Sequence, residues 1–539
     1  MKTYHKITVM LGAALMLCSC ADYLIREPQD ALDPATFFSS QENAVIAVNG
    51  IYNAALEPVK GRTYAIDFDC MTDNMYNYSR NQNTQEFGQG TQGASSVYAL
   101  NMWSRGYRGI SRANTLLAWL DNCYKLTQPA NNIKDRLRSE ALFLRAYFYA
   151  ELTDLFGDVP MYLEQVDLAD SKPRTPKAQV VEQILGDLTE AAKYLPVTYA
   201  AEDTGRATRG AALALKGKIE LYNGMYSQAA ETLKQVIELK DDAGALRYEL
   251  YPLYREMFLP QCENNSEIIF DIQYMKNAYS QGLSHQLYTF TYEWNSYCPT
   301  VSLAECYHTK NGYPVTWEEA TQLYKSDDPE FDPTYPFKNR DPRLDQSIIM
   351  PGTDNGRGTI FKPNSANHTG MKIRKWNDYT ESEKNNSEHN IILIRFADVL
   401  LMRAEALVES GSFDEAEVRG LIDRVRQRPS VMMPKVEDCE GTGLDAAALR
   451  EIIRHERRVE FAFEGTRLSD IHRWKIGPEV MTDAYGYQYK DAALATPKYT
   501  PYKVDTRSFN PERDYLWPIP QNEINTNPYI NAPDQNPGY

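Results

Sequence analysis

Apolar residues recur at steps of three or four along several long stretches of this chain, a spacing that predicts amphipathic α-helices. In residues 133–156 the periodic apolar positions are Leu137, Ala141, Leu144, Phe148, Leu152 and Leu155. Gly157 and Pro160 end the pattern, because glycine accepts a left-handed cap and proline cannot continue a helix. A helix of roughly six turns with apolar flanks needs partners on both sides, so we expect it at the centre of an α-helical scaffold.

Helical periodicity returns in other stretches, and one helical hairpin pattern occurs twice. The stretches are residues 41–56, 98–124, 177–194 and 446–464. The hairpin positions are Gly217, Gly224, Tyr226 and Ala229 in the first copy and Ala404, Gly411, Phe413 and Ala416 in the second. Small residues let two helices approach closely and glycine ends the first helix, a pattern similar to the tetratricopeptide unit. Two unrelated hairpins are the alternative interpretation. If the repeat holds, weaker pairs such as 41–56 with 98–124 complete the stack.

Three segments lack helical periodicity. Residues 61–97 are rich in Asn, Gln, Gly, Asp and Tyr and predict a long polar loop. Residues 261–390 predict irregular loops with a few short strands, of which 267–274 is one. Seven aromatic residues lie at the start of this region: Tyr274, Tyr279, Tyr288, Phe290, Tyr292, Trp294 and Tyr297. Residues 516–539 are rich in Pro and Asn, so we expect no regular structure there.

The 539-residue chain carries 57 Lys and Arg against 73 Asp and Glu, a net charge of −16. Such a surface repels phosphate backbones, and no basic stripe interrupts it, so nucleic acid is not an expected partner.

Motifs for catalysis, cofactors and metals fail on spacing. Gly88, Gly90 and Gly93 form a literal GxGxxG, but it follows a polar run and opens no helix, so we dismiss it. Asp67 and Asp69 begin like a calcium loop whose twelfth position would be Tyr78, which excludes an EF-hand. No GxSxG, HExxH or CxxC occurs. We therefore expect no catalytic residue, cofactor or metal ligand. Whether Cys298 bridges Cys306, and whether a structural calcium is bound, stay open.

The first residues read as an export signal. Lys2, His5 and Lys6 precede an apolar run, residues 7–17, that is too short to span a bilayer. Leu17-Cys18-Ser19-Cys20 resembles a bacterial lipobox, in which a small residue precedes the lipid-bearing cysteine. We predict a signal peptide at 1–19, lipidation of Cys20, and a tether at 20–40 that anchors the protein to a membrane. An ordinary secretory leader is the alternative.

Taken together, these strings resemble the SusD/RagB family of nutrient-binding lipoproteins of Bacteroidetes. The match rests on the lipobox at Cys20 and on residues 141–160, 340–344, 394–407, 456–474 and 516–539, in the right order along the chain. Charged residues in 456–474 stand at spacings where opposite charges can pair, which favours a structural role. They are Glu456, Arg457, Glu460, Glu464, Arg467, Asp470 and Arg473.

The resemblance implies a mainly α, SusD-like fold of four tetratricopeptide-like helical pairs against a loop-rich, ligand-binding region with a few short strands. It implies an N-terminal helical region at 41–260 and a C-terminal region at 261–539, the latter divided into the insertion at 261–390 and helices at 391–474, in one compact unit. It also implies a non-catalytic protein on the outer membrane, facing the cell exterior. The implied partner is a SusC-like TonB-dependent outer-membrane barrel, to which captured ligand is delivered.

A glycan site needs aromatic platforms beside polar side chains, because sugars present apolar faces rimmed by hydroxyls. The candidates are Asp73, Asn74, Tyr76, Tyr78, Arg80, Trp103, Tyr288, Tyr292, Trp294, Tyr297 and Trp317. For each aromatic residue, packing within the loops is an equally good interpretation. An oligopeptide ligand, as in RagB-like members, is the alternative within the family. A glycosidase and a pure protein-interaction scaffold are the alternatives outside it.

Overall fold

The computed structural model describes residues 37–38, 40–56, 64–78, 83–121, 133–165, 170–280, 297–363, 368–381, 383, 386–488 and 499–539. The predicted signal peptide, Cys20 and most of the tether lie outside these residues. Four candidate ligand residues do as well: Arg80, Tyr288, Tyr292 and Trp294.

Helices dominate the described chain. They are α1 Gln41–Ala55, α2 Tyr64–Cys70, α3 Gln85–Gln89, α4 Val97–Leu120, α5 Ile133–Phe156, α6 Lys177–Tyr194, α7 Arg209–Tyr222, α8 Tyr226–Ile237, α9 Val301–Cys306, α10 Pro342–Ser347, α11 Phe396–Glu409, α12 Glu415–Arg426, α13 Val436–Cys439, α14 Ala446–Glu460, α15 Thr466–Trp474, α16 Gly477–Val480 and α17 Gln521–Thr526. Short 3₁₀ turns cover Ala201–Asp203, Glu256–Phe258, Pro260–Cys262 and Ala532–Asp534.

The long helices stack in four pairs: α1 with α4, α5 with α6, α7 with α8, and α11 with α12. Each pair packs on the next, and α8 against α11 joins the two hairpins that the sequence repeat predicts. This confirms the mainly α fold and the pairing of 41–56 with the helix that begins near residue 98.

The helix α5 lies at the centre of the stack, as its apolar pattern predicts, with most of its side chains buried. The helix α4 can approach it closely because two glycines face it. A Cβ at Gly109 would lie 2.0 Å from the Phe148 ring, and one at Gly106 would lie 2.8 Å from Leu152. These glycines therefore set the distance between the first two helical pairs.

The two hairpins use their small residues in the same way. A Cβ at Gly217 would lie 2.6 Å from Leu233 in the partner helix. Gly224 and Gly411 turn the chain with φ values of +76° and +75°, a region that favours glycine.

Strands are short and pair two by two. They are β1 Met75–Asn77, β2 Val159–Pro160, β3 Arg174–Thr175, β4 Ile268–Ile272, β5 Tyr297–Pro299, β6 Thr316–Glu318, β7 Leu323–Lys325, β8 Ile348–Ile349, β9 Lys372–Ile373, β10 Ile391–Arg395, β11 Ala484–Gln488 and β12 Thr500–Asp505. All pairs are antiparallel: β1 with β5, β2 with β3, β4 with β10, β6 with β7, β8 with β9 and β11 with β12. Every residue of β4 is buried, so this strand lies inside the protein.

Three predicted elements differ from the structure. Residues 516–539, expected to be irregular, contain α17 and the 3₁₀ turn Ala532–Asp534. Residues 61–97 are not one polar loop, since they contain α2, β1 and α3. The carboxylate of Asp67 is buried there because the hydroxyls of Tyr98 and Tyr297 donate to it, at 3.2 and 2.9 Å. The predicted helix 446–464 ends at Glu460. The chain leaves the helix at Phe461, with φ −101°, and turns through Phe463, at φ +67°, and Gly465, at φ +76°, whose N–H donates to Asp69 at 3.3 Å.

Residues 514–539, here named the C-terminal clasp, contain little regular structure but pack against the N-terminal helices. Trp517 is buried, and its backbone N–H donates to the Leu155 carbonyl at 2.7 Å. The Asn536 side chain donates to the Phe156 carbonyl at 2.9 Å. Gln92 donates to Asp514 at 2.8 Å. The clasp therefore satisfies carbonyl groups at the C-terminal end of α5.

Candidate functional site

A buried ion-pair network surrounds α14, and it accounts for the charged motif of the sequence. The carboxylate of Glu460 accepts from three guanidinium groups: Arg343 at 2.9 Å, Arg395 at 2.8 Å and Arg428 at 2.9 Å. Glu267 also accepts from Arg395, at 2.8 Å. All five side chains are buried.

Further pairs continue the network toward α15. Arg457 contacts Asp398 at 2.7 Å and Asp470 at 2.9 Å, and Arg473 contacts Asp470 at 2.8 Å. Burial alone would raise the pKa of Glu460, but the neighbouring arginines lower it well below its usual range. These acids are charged, paired and closed to solvent, so they hold elements together.

We call the stacked helical pairs and the ion-pair network together the frame. Polar residues next to the strand β1 fix this strand to the frame. Asp73 accepts from Arg467 at 2.9 and 3.0 Å and from Arg458 at 2.8 Å. Although burial alone would raise it, these arginines lower the pKa of Asp73 to about 2. The Asn74 side chain donates to Asp69 at 2.9 Å. Asp73 and Asn74 are candidate ligand residues by sequence, and the structure gives both a buried structural role that positions the residues after them.

Beyond β1 the chain reaches an aromatic surface, which we name the rim: Tyr76, Tyr78, His368 and Tyr502. Tyr78 is 39% exposed, and its ring stacks on His368 with centroids 3.8 Å apart and 21° between the planes. The Tyr502 hydroxyl donates to the His368 carbonyl. Burial raises the pKa of Tyr76 to about 12 and lowers that of His368 below its usual value. Both shifts favour the uncharged form of Tyr76 and His368, so the rim offers hydroxyl and imidazole groups beside aromatic rings.

Trp317 lies on a separate hairpin, β6–β7. Its indole packs edge-to-face on Tyr324 at 5.0 Å, and its N–H donates to Glu319 at 2.9 Å. Tyr324 continues into an aromatic cluster with Phe337 and Tyr487. Trp317 is thus a partly exposed ring at the edge of a packed cluster.

Trp103 and Tyr297 are buried, at 4% and 2% exposure. The Trp103 indole donates to Glu523 at 3.2 Å and packs edge-to-face on Phe156. Tyr297 directs its hydroxyl to Asp67. These contacts give both residues a packing role, one of the two interpretations that the sequence allowed. A ligand role for them stays a prediction.

Sequence reasoning named Tyr76 and Tyr78 but missed His368 and Tyr502. Neither carries a motif: His368 precedes Thr369 and Gly370 in a polar stretch, and Tyr502 lies in the alternating run of β12. They come close to the tyrosines at β1 because the backbone around Gly370 packs tightly against the hairpin β11–β12. A Cβ at Gly370 would lie 2.6 Å from the Tyr487 carbonyl oxygen, so the hairpin β11–β12 packs directly on this segment.

The cysteines in the described part of the chain are free thiols. Cys298 and Cys306 are not bridged, and neither are the other described cysteines, Cys70, Cys262 and Cys439. The described residues contain no group of three or more His, Cys, Asp or Glu side chains arranged to hold a metal ion. No helix in the described part of the chain is both long and apolar enough to cross a lipid bilayer.

The stack of helical pairs with an aromatic surface places this chain in the class of helical-repeat proteins. Comparison with known proteins gives the family. The model described as "SusD family" matches residues 266–539, more than half of the chain. A second, described as "Starch-binding associating with outer membrane", matches residues 22–221. The chain belongs to the SusD family.

Individual relatives agree. SusD-like protein P2 of Formosa agariphila is 27% identical over 564 residues, covering 100% of both chains. Among solved structures, a SusD-like carbohydrate binding protein of Bacteroides fragilis is 29% identical with a TM-score of 0.80, covering 92% of this chain and 100% of the other. A laminarin binding SusD-like protein has a TM-score of 0.67 at 23% identity, covering 93% of this chain and all of the other, and shows the shared fold.

Proposed function

We propose that this protein binds a glycan at the rim and does not transform it. The observation that carries the proposal is the exposed Tyr78 ring, held on His368 beside further hydroxyl-bearing rings. A rigid aromatic face accepts the apolar face of a sugar, and nearby hydroxyl and imidazole groups exchange hydrogen bonds with its edge. Tyr76 and Tyr78 follow the anchored Asp73 and Asn74, so the platform is preorganised by the frame.

Two further observations support a binding role. The most conspicuous acids, Glu456 and Glu460, are buried in ion pairs and cannot flank a scissile bond. The Bacteroides fragilis relative, similar over nearly the whole chain, is named for carbohydrate binding. Among the described residues, no comparable feature favours an oligopeptide ligand.

We further propose that the protein is held on the outer membrane through lipid on Cys20, faces the exterior, and delivers its ligand to a SusC-like TonB-dependent barrel. Support comes from the lipobox and from the family model named for association with the outer membrane. Mass spectrometry of the native protein tests the anchor, since Cys20→Ser should abolish acylation and release the protein from membranes. Co-purification of a barrel with the native but not the released protein tests the partner.

Affinity electrophoresis in gels containing starch, laminarin or other polysaccharides tests the ligand. We expect Tyr78→Ala to weaken binding about tenfold, because one stacking contact contributes about 1.4 kcal/mol. The matched control is Tyr529→Ala, which removes a tyrosine that is 57% exposed, more than Tyr78, from the C-terminal clasp. Unchanged retardation of Tyr78→Ala by a polysaccharide that retards the wild type would contradict binding at the rim. Turnover of any of these glycans would contradict a binding role.

A further inference from the structure

A cavity of about 500 Å³ lies between the end of α1, the 3₁₀ turn Ala201–Asp203 and the residues that follow β4. We name it the turn pocket. It shares no lining residue with the rim. Its size falls within the range of small-molecule sites, roughly 300–1,000 Å³.

One wall of the turn pocket is a tight turn that presents two apolar side chains to solvent. Met275 and Tyr279 exchange backbone hydrogen bonds at 2.9 and 3.0 Å. Their side chains nevertheless remain 59% and 60% exposed. Burial therefore does not explain why these large side chains stand here.

Neighbouring residues hold the turn through contacts that do not involve the exposed Met275 and Tyr279 side chains. The Asn277 N–H donates to the Asn386 side chain at 2.9 Å, and the Asn386 amide donates back to the Asn277 side chain at 3.0 Å. Lys276 pairs with Glu381 at 3.6 Å. Tyr274 donates its N–H to Asn390 at 2.9 Å. The Tyr279 ring is thus carried on a backbone whose position is fixed before any ligand arrives.

The facing wall is polar and carries no free positive charge among its described residues. Asn49 and Asn53 present exposed amides from α1, and Glu202 is exposed on the 3₁₀ turn. Arg206, the cation of the lining, is neutralised by Asp203 at 2.6 Å and Glu140 at 3.0 Å. One further cation, Arg112, is not a lining residue and is held by the Gly50 carbonyl at 2.6 Å and the Asn53 side chain at 3.4 Å. Within the lining, an anionic ligand would meet the exposed Glu202, whereas a neutral ligand rich in hydroxyls would meet amides and an aromatic face.

We propose that the turn pocket is a second saccharide-binding site that takes a short stretch of a neutral glycan, with one sugar ring against Tyr279 and hydroxyls toward Asn49 and Asn53. A long polysaccharide that reaches both sites would bind more tightly than either site alone allows, through effective concentration. The ligand class rests on the proposed glycan function, while the location does not depend on the rim.

The experiment combines Tyr279→Ala and Tyr78→Ala, alone and together, in the full-length protein. Starch and laminarin are the neutral probes and alginate is the anionic one, read by affinity electrophoresis. Tyr194→Ala is the matched control. It removes a tyrosine that is 45% exposed at the end of α6 and that belongs to neither the rim nor the turn pocket. Hydrogen exchange of backbone amides with and without saturating polysaccharide locates the contacts.

We expect Tyr279→Ala to weaken binding of a neutral polysaccharide about fivefold, and the double variant to lose the residual binding of Tyr78→Ala. Residues 273–280 should gain protection in the Tyr78→Ala background. Binding that Tyr279→Ala leaves unchanged in both backgrounds would overturn the second site while the rim proposal stood. Binding lost in Tyr279→Ala but unchanged in Tyr78→Ala would refute the rim and keep the turn pocket. Retardation by alginate that depends on Tyr279 would overturn the neutral-ligand assignment.

Discussion

The network around α14 and the rim use charged and aromatic residues in opposite ways. In the network, Glu460 and its three arginines are closed to solvent, and every charge meets a partner within hydrogen-bond distance. At the rim, Tyr78 stacks on one neighbour and leaves much of its ring open. Yet the network residues form the most recognisable part of the sequence, and the rim residues form no motif at all. The recognisable string therefore identifies the frame, while the residues proposed to contact the glycan are ones that the frame only positions.

The strongest way to break this contrast is to remove the centre of the network. We expect Glu460→Ala to lower the free energy of unfolding by about 3–5 kcal/mol, because it leaves buried arginines without their shared partner. Urea unfolding at pH 7, followed by circular dichroism, measures the change. The control is Glu451→Ala in the same helix, whose exposed pair with Arg454 at 3.2 Å should contribute less than about 0.5 kcal/mol. Equal effects of the two substitutions would show that burial of the network is not what stabilises it.

A smaller effect is expected where the frame is packed rather than charged. Gly109→Ala should cost about 1–3 kcal/mol, because the added Cβ would lie 2.0 Å from the Phe148 ring. Gly186→Ala, on the exposed side of α6 with no atom within 4 Å, should stabilise by about 0.5–1 kcal/mol through helix propensity. Thermal unfolding of both variants checks the opposite signs. A neutral result at Gly109 would mean that α4 and α5 can separate without cost.

The link between frame and rim gives the smallest of these effects and depends on pH. The pKa of Asp73 is about 2 in the folded protein, below the roughly 3.9 of an unfolded aspartate. The unfolded chain therefore binds the proton first, so this stabilisation is complete above about pH 5 and is lost as the pH falls toward 2. Between pH 5 and pH 3 we expect Asp73 to account for about 1 kcal/mol of lost stability. Urea unfolding of wild type and Asp73→Asn across this range should show the variant losing less by that amount, and parallel pH profiles would refute it.

Much of the frame could be predicted because its signals are local. The bounds of the helices at 133–156 and 177–194 follow from apolar periodicity, and Gly157 ends the first of them. The helix end at Glu460 could not be predicted, because the carbonyls of Glu460 and Ala462 are satisfied by the distant Lys375 side chain, at 2.9 and 3.1 Å, rather than by any local signal. The polar composition of residues 61–97 predicts a loop because polar side chains normally face water, whereas the buried Asp67 accepts from the hydroxyls of two distant tyrosines, Tyr98 and Tyr297.

Two of the four rim residues could be predicted, because only Tyr76 and Tyr78 lie in a local sequence pattern. Tyr76 and Tyr78 stand in an aromatic, polar string that suggests a sugar site. His368 meets Tyr78 only because β11–β12 and the segment around Gly370 pack together, which no spacing in the chain encodes. The sequence candidates Trp103 and Tyr297 have the right chemistry, but whether a ring faces solvent is decided by neighbours elsewhere in the chain.

The C-terminal clasp has a consequence for the order in which the protein can fold. Leu155, Phe156 and Gln92 complete their hydrogen bonds with residues 517, 536 and 514, so these contacts span more than three hundred and fifty positions. Synthesis proceeds from the N-terminus, and the first helical pairs must therefore wait, with polar backbone groups and the Trp517 site uncovered, until the remainder of the chain exists. Such long-range closure is slow. Truncation before residue 514 should therefore leave the Leu155 and Phe156 carbonyls without these donors and destabilise the first helical pairs, whatever the ligand is.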